Sequence, residues 1–162
     1  MKLTAKYDIE ASVGFVYKEL ADFDAWERMA MRRGAEVTRT DRARHFGPGM
    51  EWQVNFIHRK KPRSARIQVL EVTPDSHLRI AAQSTLADLD ITIDIMDLAA
   101  TRTRIEVRTD IKPKTLAARL YIQTLRLARK KAEKTYAHRV ASLAVELEDR
   151  FRRPSSGIRP LR

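Results

Sequence analysis

The stretch ADLDITIDIMDLAATRTRIEVRTDIKP, residues 87–113, decides the fold class. Apolar and polar side chains alternate along both of its halves, and a period of two is typical of a strand with one buried face. A turn near residues 98–100 would join the two halves into an antiparallel hairpin. The stretch therefore predicts an antiparallel sheet with one covered face.

Charged residues on the outer face of this hairpin predict ion pairs between the two strands. The expected register sets Asp94 near Arg104 and Asp90 near Arg108. Opposite charges on neighbouring strands stabilise a sheet modestly, by about 0–1 kcal/mol for an exposed pair. We therefore interpret these charges as structural.

A long helix is predicted after the hairpin. Pro113 ends the strand, and the chain then runs from Lys114 to Asp149 without glycine or proline. Apolar residues recur there every three or four positions, which is typical of a helix with one buried face. These are Tyr121, Leu125, Ala128, Ala132, Tyr136, Val140, Leu143 and Leu147. At 1.5 Å per residue, the predicted helix is roughly 50 Å long.

The segment before the hairpin predicts one strand, two short helices and several further strands. Residues 1–9 alternate with period two, and Ser12 and an aspartate at 22 or 24 are suitable helix N-caps. Further runs of period two lie at about 35–40, 50–56, 65–69 and 78–82. The sequence thus predicts an α+β fold in which a curved antiparallel sheet of about six to seven strands wraps around the C-terminal helix. We expect residues 1–149 to form one domain and 150–162 a basic, flexible tail.

Composition narrows the class of protein. The chain has 162 residues and no cysteine, which excludes disulfides and thiolate metal sites. No stretch approaches the roughly 20 apolar residues of a membrane span, and no signal sequence is evident, so we expect a cytoplasmic protein. The net charge of +11 is uneven: residues 1–112 carry 19 Lys/Arg against 17 Asp/Glu, whereas residues 113–162 carry 13 against 4. The basic character belongs to the last third.

Catalytic and metal-binding motifs are missing from the sequence. The four histidines, His45, His58, His77 and His138, are not spaced as in a metal-binding helix, and we interpret them as solvated surface residues. Neither a nucleophile elbow nor a phosphate-binding loop occurs. The sequence therefore predicts no metal and no cofactor, and it leaves any catalytic residue unknown.

Four segments resemble the SRPBCC superfamily, which is also called START-like, and especially its polyketide cyclase/dehydrase and lipid-transport branch. They are ASVGFVYKELADFDAWERM (11–29), GPGMEWQV (47–54), RIQVLEVTPDSHLRI (66–80) and TRTRIEVRTDIKPK (101–114). The resemblance covers residues 1–148 and departs from the family at Ala99 and Ala100, where a glycine pair is usual. It implies a helix-grip fold with a cavity between the sheet and the C-terminal helix.

The resemblance also implies a ligand pocket lined from several elements. The expected pocket residues are Tyr17, Trp26, Met50, Trp52, Val54, Phe56, Leu89, Ile91, Ile93, Leu120, Tyr121, Thr124 and Leu125. Considered without the resemblance, the same side chains would form an ordinary filled core. The ligand would be a hydrophobic or amphipathic small molecule such as a lipid, a quinone or a polyketide-like compound. A binding or transport protein is favoured, and a cyclase or dehydratase acting in the same cavity is the alternative.

A basic surface forms a separate prediction. Its residues are Arg59, Lys60, Lys61, Arg63, Arg126, Arg129, Lys130 and Lys134. Such a surface could dock on an anionic membrane, and nucleic acid would attract the same charge. Because aromatic side chains are not interleaved with these cations, nucleic acid is the less favoured partner. The sequence leaves a monomer and a homodimer equally open.

Overall fold

A computed structural model describes residues 1–43 and 45–153 of the protein. The α+β class and the two short helices after the first strand are confirmed. The elements are β1 (Lys2–Ile9), α1 (Val13–Leu20), α2 (Phe23–Arg32), β2 (Glu36–Arg39), β3 (Glu51–His58), β4 (Lys61–Thr73), β5 (His77–Ser84), β6 (Ala87–Ala99), β7 (Arg102–Pro113), α3 (Leu116–Leu127) and α4 (Arg129–Arg152).

The seven strands of the described chain form one antiparallel sheet in the order β1-β7-β6-β5-β4-β3-β2. Every strand except β1 pairs with its neighbour in sequence, and β1 closes the other edge by pairing with β7. Irregularities between Val69 and Glu71 and between Asp97 and Ala99 interrupt the ladders. Such bulges bend strands and increase their twist, which fits the predicted curvature of the sheet.

The ion pairs on the β6–β7 hairpin differ from the predicted ones. Asp94 pairs with Arg108, while Asp90 pairs with Arg79 of β5. Arg104 of β7 pairs instead with Asp8 on the neighbouring strand β1, with 2.7 Å between Nε and Oδ1. The centre of the turn lies one residue further along the chain than predicted, and this moves each cross-strand partner by two positions.

Short side chains begin the first two helices as predicted. The Ser12 hydroxyl accepts a hydrogen bond from the backbone N–H of Phe15, and Asp22 Oδ1 accepts one from Ala25 at 3.0 Å. Each bond satisfies one of the donors that a helix leaves free at its start. Helix α2 then packs against β2, at the edge of the sheet.

The C-terminal helix is not continuous, contrary to the prediction. Helix α3 ends at Leu127, and α4 begins at Arg129 after Ala128 adopts φ −107° and ψ 40°. No glycine or proline marks this break. The two helices pack on different partners, since α3 contacts β7 and α4 whereas α4 contacts β1 and α1. Because the two apolar faces are buried in different places, one straight helix would not satisfy both.

Helix α4 runs three residues beyond the predicted end of the domain. Phe151 packs on Phe15 with ring centroids 5.1 Å apart, and Arg150 Nη1 lies 2.9 Å from Glu19 Oε2. Residues 150–152 therefore belong to the folded unit rather than to a tail, while residues 154–162 of the predicted tail lie outside the described residues. Within the described ranges, no helix is both long and apolar enough to cross a membrane.

The core consists of two clusters of buried apolar side chains. The larger joins β1, β6 and β7 to α1 and α4, and it includes Ile9, Val16, Ile105 and Leu147. The smaller lies under α2 and consists of Phe23, Met50, Trp52 and Val69. The space where the two clusters meet is the candidate functional site.

Candidate ligand cavity

A cavity of about 350 Å³ lies where α2 and α4 face the inner surface of the sheet. Both core clusters contribute to its wall, Leu20 and Val107 from the larger and Phe23, Trp52 and Val69 from the smaller. Its lining residues are Leu20, Phe23, Trp26, Glu27, Ala30, Val37, Trp52, Val54, Ile67, Val69, Ile80, Ile91, Ile93, Val107 and Leu143.

The strands under the cavity are less buried than their position in the sheet would suggest. Strands β5 and β6 lie in the middle of the sheet, yet Ile80, Ile91 and Ile93 are only partly buried. Apolar side chains on an inner face are normally covered by close-packed neighbours. The cavity above these isoleucines accounts for their residual exposure.

Glu27 is the one ionisable side chain on the cavity wall within the described part of the chain. Its Oε2 accepts a hydrogen bond from the Trp52 indole Nε1 at 3.2 Å. The second indole, of Trp26, donates to the backbone carbonyl of Leu20 at 3.1 Å. Both indole N–H groups are thus satisfied, and among the described wall residues Glu27 is the one carboxylate beside otherwise apolar side chains.

The periodicity of α2 explains how a glutamate reaches this wall. Phe23, Trp26, Glu27 and Ala30 are spaced by three, four and seven residues, so they share one helix face. The sequence prediction included Trp26 but not Glu27. The signal was present in the spacing of Glu27 from Phe23.

Comparisons with known proteins identify the architecture. No family model and no curated protein matches the sequence. The structure is similar to the Zhui aromatase/cyclase from Streptomyces sp. R1128, with a TM-score of 0.66 and 13% identity over 98% of this chain and 99% of that one. It is also similar to a START superfamily protein from Mycobacterium smegmatis, with a TM-score of 0.54 and 14% identity over 83% and 95% of the two chains.

The chain has the helix-grip fold of these structures. A third similar structure is norcoclaurine synthase from Thalictrum flavum in complex with dopamine and hydroxybenzaldehyde, with a TM-score of 0.61 and 13% identity over 90% of this chain and 87% of that one. The predicted resemblance is therefore confirmed at the level of the fold. At such identities the likeness concerns architecture, and the ligand must be inferred from the residues of this helix-grip chain.

Five of the predicted pocket residues lie on the wall of the helix-grip cavity. Trp26 comes from α2, Trp52 and Val54 from β3, and Ile91 and Ile93 from β6. On each strand the two residues are separated by one position, which places them on the same face of the sheet. The alternation read from the sequence therefore brings these side chains together.

Three other predicted pocket residues pack elsewhere. Tyr17 lies on α1 against the larger core cluster, and burial raises the pKa of its phenol. Met50 is buried in the smaller cluster. Leu89 shares the inner face of β6 with Ile91, opposite Ile111, but lies further along the strand than the cavity wall.

The remaining predicted pocket residues lie on the surface. Phe56, near the tip of β3, and Leu120, Tyr121 and Thr124, on α3, are all exposed, and Leu125 is only partly buried. For the α3 residues the physical reason is the break at Ala128, which separates α3 from the helix that covers the sheet, whereas Phe56 lies close to the exposed β3–β4 turn. Among the described residues of α3, only Ile122 is buried.

Several residues of the wall escaped the sequence prediction. They come from helices α1 and α2, from strands β2, β4, β5 and β7, and from the apolar stripe of α4; they are Leu20, Phe23, Ala30, Val37, Ile67, Val69, Ile80, Val107 and Leu143. Their apolar period was visible in the sequence. Which of the inward residues border an unfilled space depends on the packing of α2 and α4, which the sequence does not specify.

One further polar pair lies beside the cavity. The Tyr136 hydroxyl of α4 is 2.9 Å from Thr109 Oγ1, and Thr109 stands opposite the wall residue Ile91. Burial raises the pKa of Tyr136, and its hydrogen bond to Thr109 opposes the shift. This pair ties α4 to the inner face of β7 close to the cavity.

The predicted basic residues form two neighbouring groups. Arg59, Lys60, Lys61 and Arg63 lie at the β3–β4 turn or on β4; Arg126, Arg129, Lys130 and Lys134 lie on α3 and α4. The guanidinium of Arg59 stacks over the Tyr121 ring at 5.4 Å from its centroid, which brings the two groups together. Arg129 is paired with Glu133 at 2.8 Å. Arg63 is half-buried.

A larger groove, of about 820 Å³, is lined by charged residues of β1, β7 and α4. Asp8 accepts hydrogen bonds there from Arg102 and Arg104, and Arg152 pairs with Glu10. These charges neutralise one another across the groove. The apolar cavity is therefore the better candidate for a ligand site.

The histidines differ in one respect from their predicted surface role. His77 is the first residue of β5, with Nδ1 2.7 Å from Asp94 and Nε2 3.2 Å from Glu71, so it is held between two carboxylates on the outer face of the sheet.

Within residues 1–43 and 45–153, no group of three or more acidic or histidine side chains is arranged to hold a metal ion.

Proposed function

We propose that this protein binds a hydrophobic or amphipathic small molecule, such as a lipid, a quinone or a polyketide-like compound, in the cavity between the sheet, α2 and α4. The observation that carries the proposal is an apolar space of about 350 Å³ whose wall, among the described residues, holds the single carboxylate of Glu27. Cavities of about 300–1,000 Å³ with few polar groups are typical of small-molecule sites. Release of water from apolar surface would supply the affinity, at roughly 25 cal/mol per Å².

The position of Glu27 favours a ligand with a polar end. Its Oε2 already accepts the Trp52 indole N–H at 3.2 Å. A carboxylate has further acceptor positions on its two oxygens, so the group it would receive from a ligand is a hydroxyl or an N–H. We therefore expect an apolar body against Ile80, Ile91 and Ile93 and a hydrogen-bond donor near Glu27.

Similar structures support a ligand of this general kind without identifying it. One of them is described as an aromatase/cyclase, and another is a synthase in complex with dopamine and hydroxybenzaldehyde. Both aromatic compounds named in that complex carry hydroxyl groups on an apolar ring. Fold alone does not assign function, so the cavity residues of this chain are the stronger support.

Native mass spectrometry of freshly purified protein, followed by denaturing extraction, tests the proposal. We expect a bound apolar or amphipathic molecule in wild type and its loss in Ile91→Phe, where a larger side chain fills the cavity. Leu98→Phe is the matched control, because the new ring is placed at an exposed residue at the end of the β6–β7 hairpin. A wild-type protein that carries nothing and enriches nothing from a lipid extract would refute the proposal.

An enzyme is the second candidate, and Glu27 is the observation that favours it. A carboxylate that borders a ligand cavity can serve as a general acid or base in a cyclisation or dehydration. Once a bound molecule is known, Glu27→Gln separates the two functions. If the protein is a carrier, the variant should bind the ligand as wild type does. If it is an enzyme, the variant should still bind the molecule but no longer convert it.

A further inference from the structure

The outer surface of α3 carries aliphatic side chains that the described residues of the protein leave uncovered. Leu116 is 73% exposed, Leu120 59% and Leu127 92%. Spacings of four and seven residues place all three on one side of the helix. Ile122, the buried residue of the described helix, lies on the opposite side. The helix therefore has two apolar faces, of which only one packs on the fold.

The tip of the β3–β4 hairpin extends this surface. Ile57 is 78% exposed, and Arg59 stacks over Tyr121 of α3. The tip thus lies beside the helix. Exposed aliphatic side chains gathered in one place are characteristic of sites that bind another protein or a membrane.

Cations surround these aliphatic residues and lack acidic partners. They are Arg59, Lys60, Lys61, Arg119, Arg126 and Lys130, none of which forms an ion pair with any described residue. The sequence contains no aspartate or glutamate from residue 113 to 132 or from 52 to 70. The surface is therefore both apolar and uniformly positive.

Two of these cations occupy the turn of the β3–β4 hairpin in a backbone conformation that is unfavourable for their residue types. Arg59 and Lys60 have φ values of 51° and 63°, the left-handed region at both central positions of a two-residue turn. Such turns strongly favour Asn-Gly, because other side chains are strained there. Cations at these two positions are not explained by local stability, which points to a role in binding.

We propose that α3 and the β3–β4 hairpin form a docking face for anionic lipid bilayers. The face consists of Ile57, Leu116, Leu120, Leu127 and the six cations named above. Aliphatic side chains would enter the acyl boundary while the cations contact headgroups, as in interfacial amphipathic helices. This docking face is distinct from the cavity, and it stands whether or not the cavity holds a ligand.

Charge and side-chain type favour a bilayer over other occupants. A symmetric dimer through this face would bring two sets of unpaired cations together, which is unfavourable. Nucleic acid would pair with the cations but would leave the three leucines and Ile57 in water, because binding to single strands relies on aromatic stacking. Only an anionic apolar partner satisfies both features.

Vesicle sedimentation tests the proposal, with phosphatidylcholine vesicles and with vesicles containing about 30% phosphatidylglycerol. Wild type should bind the anionic vesicles and not the neutral ones. Leu120→Gln/Leu127→Gln should weaken binding by at least about tenfold, since both side chains are exposed and their loss leaves the fold intact. The matched control Leu98→Gln replaces an exposed leucine at the far end of the sheet and should bind as wild type does.

A second variant removes two cations without destabilising the fold, so that their contribution to binding can be measured alone. Arg59→Asn/Lys60→Gly introduces the residues that the turn prefers, so it should melt at a temperature no lower than that of wild type. Each cation contributes about 1 kcal/mol near an anionic membrane, so we expect roughly 25-fold weaker binding for the pair. Lys2→Gln/Arg28→Gln removes the same charge from other surfaces and should lose much less.

Three results would overturn the docking face. The first is no binding to anionic vesicles at about 0.1 M salt. The second is unchanged binding in Leu120→Gln/Leu127→Gln, which would mean electrostatic adsorption without insertion. The third is a wild-type dimer that the two leucine substitutions convert to a monomer with no change in vesicle binding, which would assign the face to a second copy of the chain.

Discussion

Helices α3 and α4 are neighbours in the chain, yet the rest of the protein covers them to very different extents. In α4, Val140, Ala144 and Leu147 are buried against β1 and the first core cluster. In α3, the leucines at 116, 120 and 127 remain in solvent. The apolar residues of α4 are explained by the stability of the fold, whereas these three leucines of α3 are not.

Polar contacts repeat this contrast. Helix α4 is tied to the N-terminal segment, where Glu148 Oε1 accepts the backbone N–H of Glu10 at 2.9 Å and Arg150 pairs with Glu19. Helix α3 is held by its Thr115 cap and by the stacking of Arg59 on Tyr121. We infer that α4 stabilises the helix-grip fold and that α3 serves binding.

The largest effect is expected from removing matched leucines from the two helices. Leu147→Ala in α4 should lower the free energy of unfolding by about 2–5 kcal/mol, because the side chain is fully buried. Leu127→Ala in α3 should change it by less than about 0.5 kcal/mol. Urea unfolding of both variants measures the difference, and equal losses would remove the distinction between the helices.

A smaller effect is expected at the end of α4. Phe151→Ala removes a half-buried ring that packs on Phe15, and should cost about 1–2 kcal/mol, less than for a fully buried ring. Arg153→Ala, at an exposed position just after the helix, is the control. If the two variants unfold at the same urea concentration, the domain ends where the sequence predicted, at residue 149.

The smallest effect concerns the β1 edge, which α4 covers. Hydrogen bonds from Arg104 and Arg102 lower the pKa of Asp8 from 3.8 to about 2. Because the folded-state pKa is depressed, the contribution of Asp8 to stability is present above about pH 4 and is lost as the pH falls toward 2. Asp8→Asn should therefore melt slightly below wild type at pH 7.

Melting curves across the acidic range check this sign. The difference in melting temperature between wild type and Asp8→Asn should shrink steadily below pH 4. A difference that stays constant down to pH 2.5 would mean that the carboxylate does not contribute through its charge.

Local signals in the sequence predicted the sheet and the first helices well. Alternation identified β6 and β7, and Ser12 and an aspartate before α2 marked the helix starts, because these patterns are set by neighbouring residues. The register of the β6–β7 hairpin was wrong by two positions, since the exact turn depends on a bulge near Asp97 that leaves no residue signature.

The candidate site was harder to predict because it depends on packing. The apolar period of 116–127 shows which residues share a face, but not whether that face meets protein or another medium. The break at Ala128 has no glycine or proline to announce it. Glu27 shares the helical spacing of Phe23 and Trp26, so this spacing does predict its place on the cavity wall.

The most direct test of the cavity uses the two tryptophans of the chain, Trp26 and Trp52, both of which line it. Energy transfer from tryptophan to 1-anilinonaphthalene-8-sulfonate would report occupancy, with palmitate and ubiquinone-1 as competitors. We expect saturable transfer in wild type, displacement by at least one competitor, loss in Ile91→Phe and retention in Leu98→Phe. Equal transfer in wild type and Ile91→Phe, or none in either, would contradict a ligand-binding cavity.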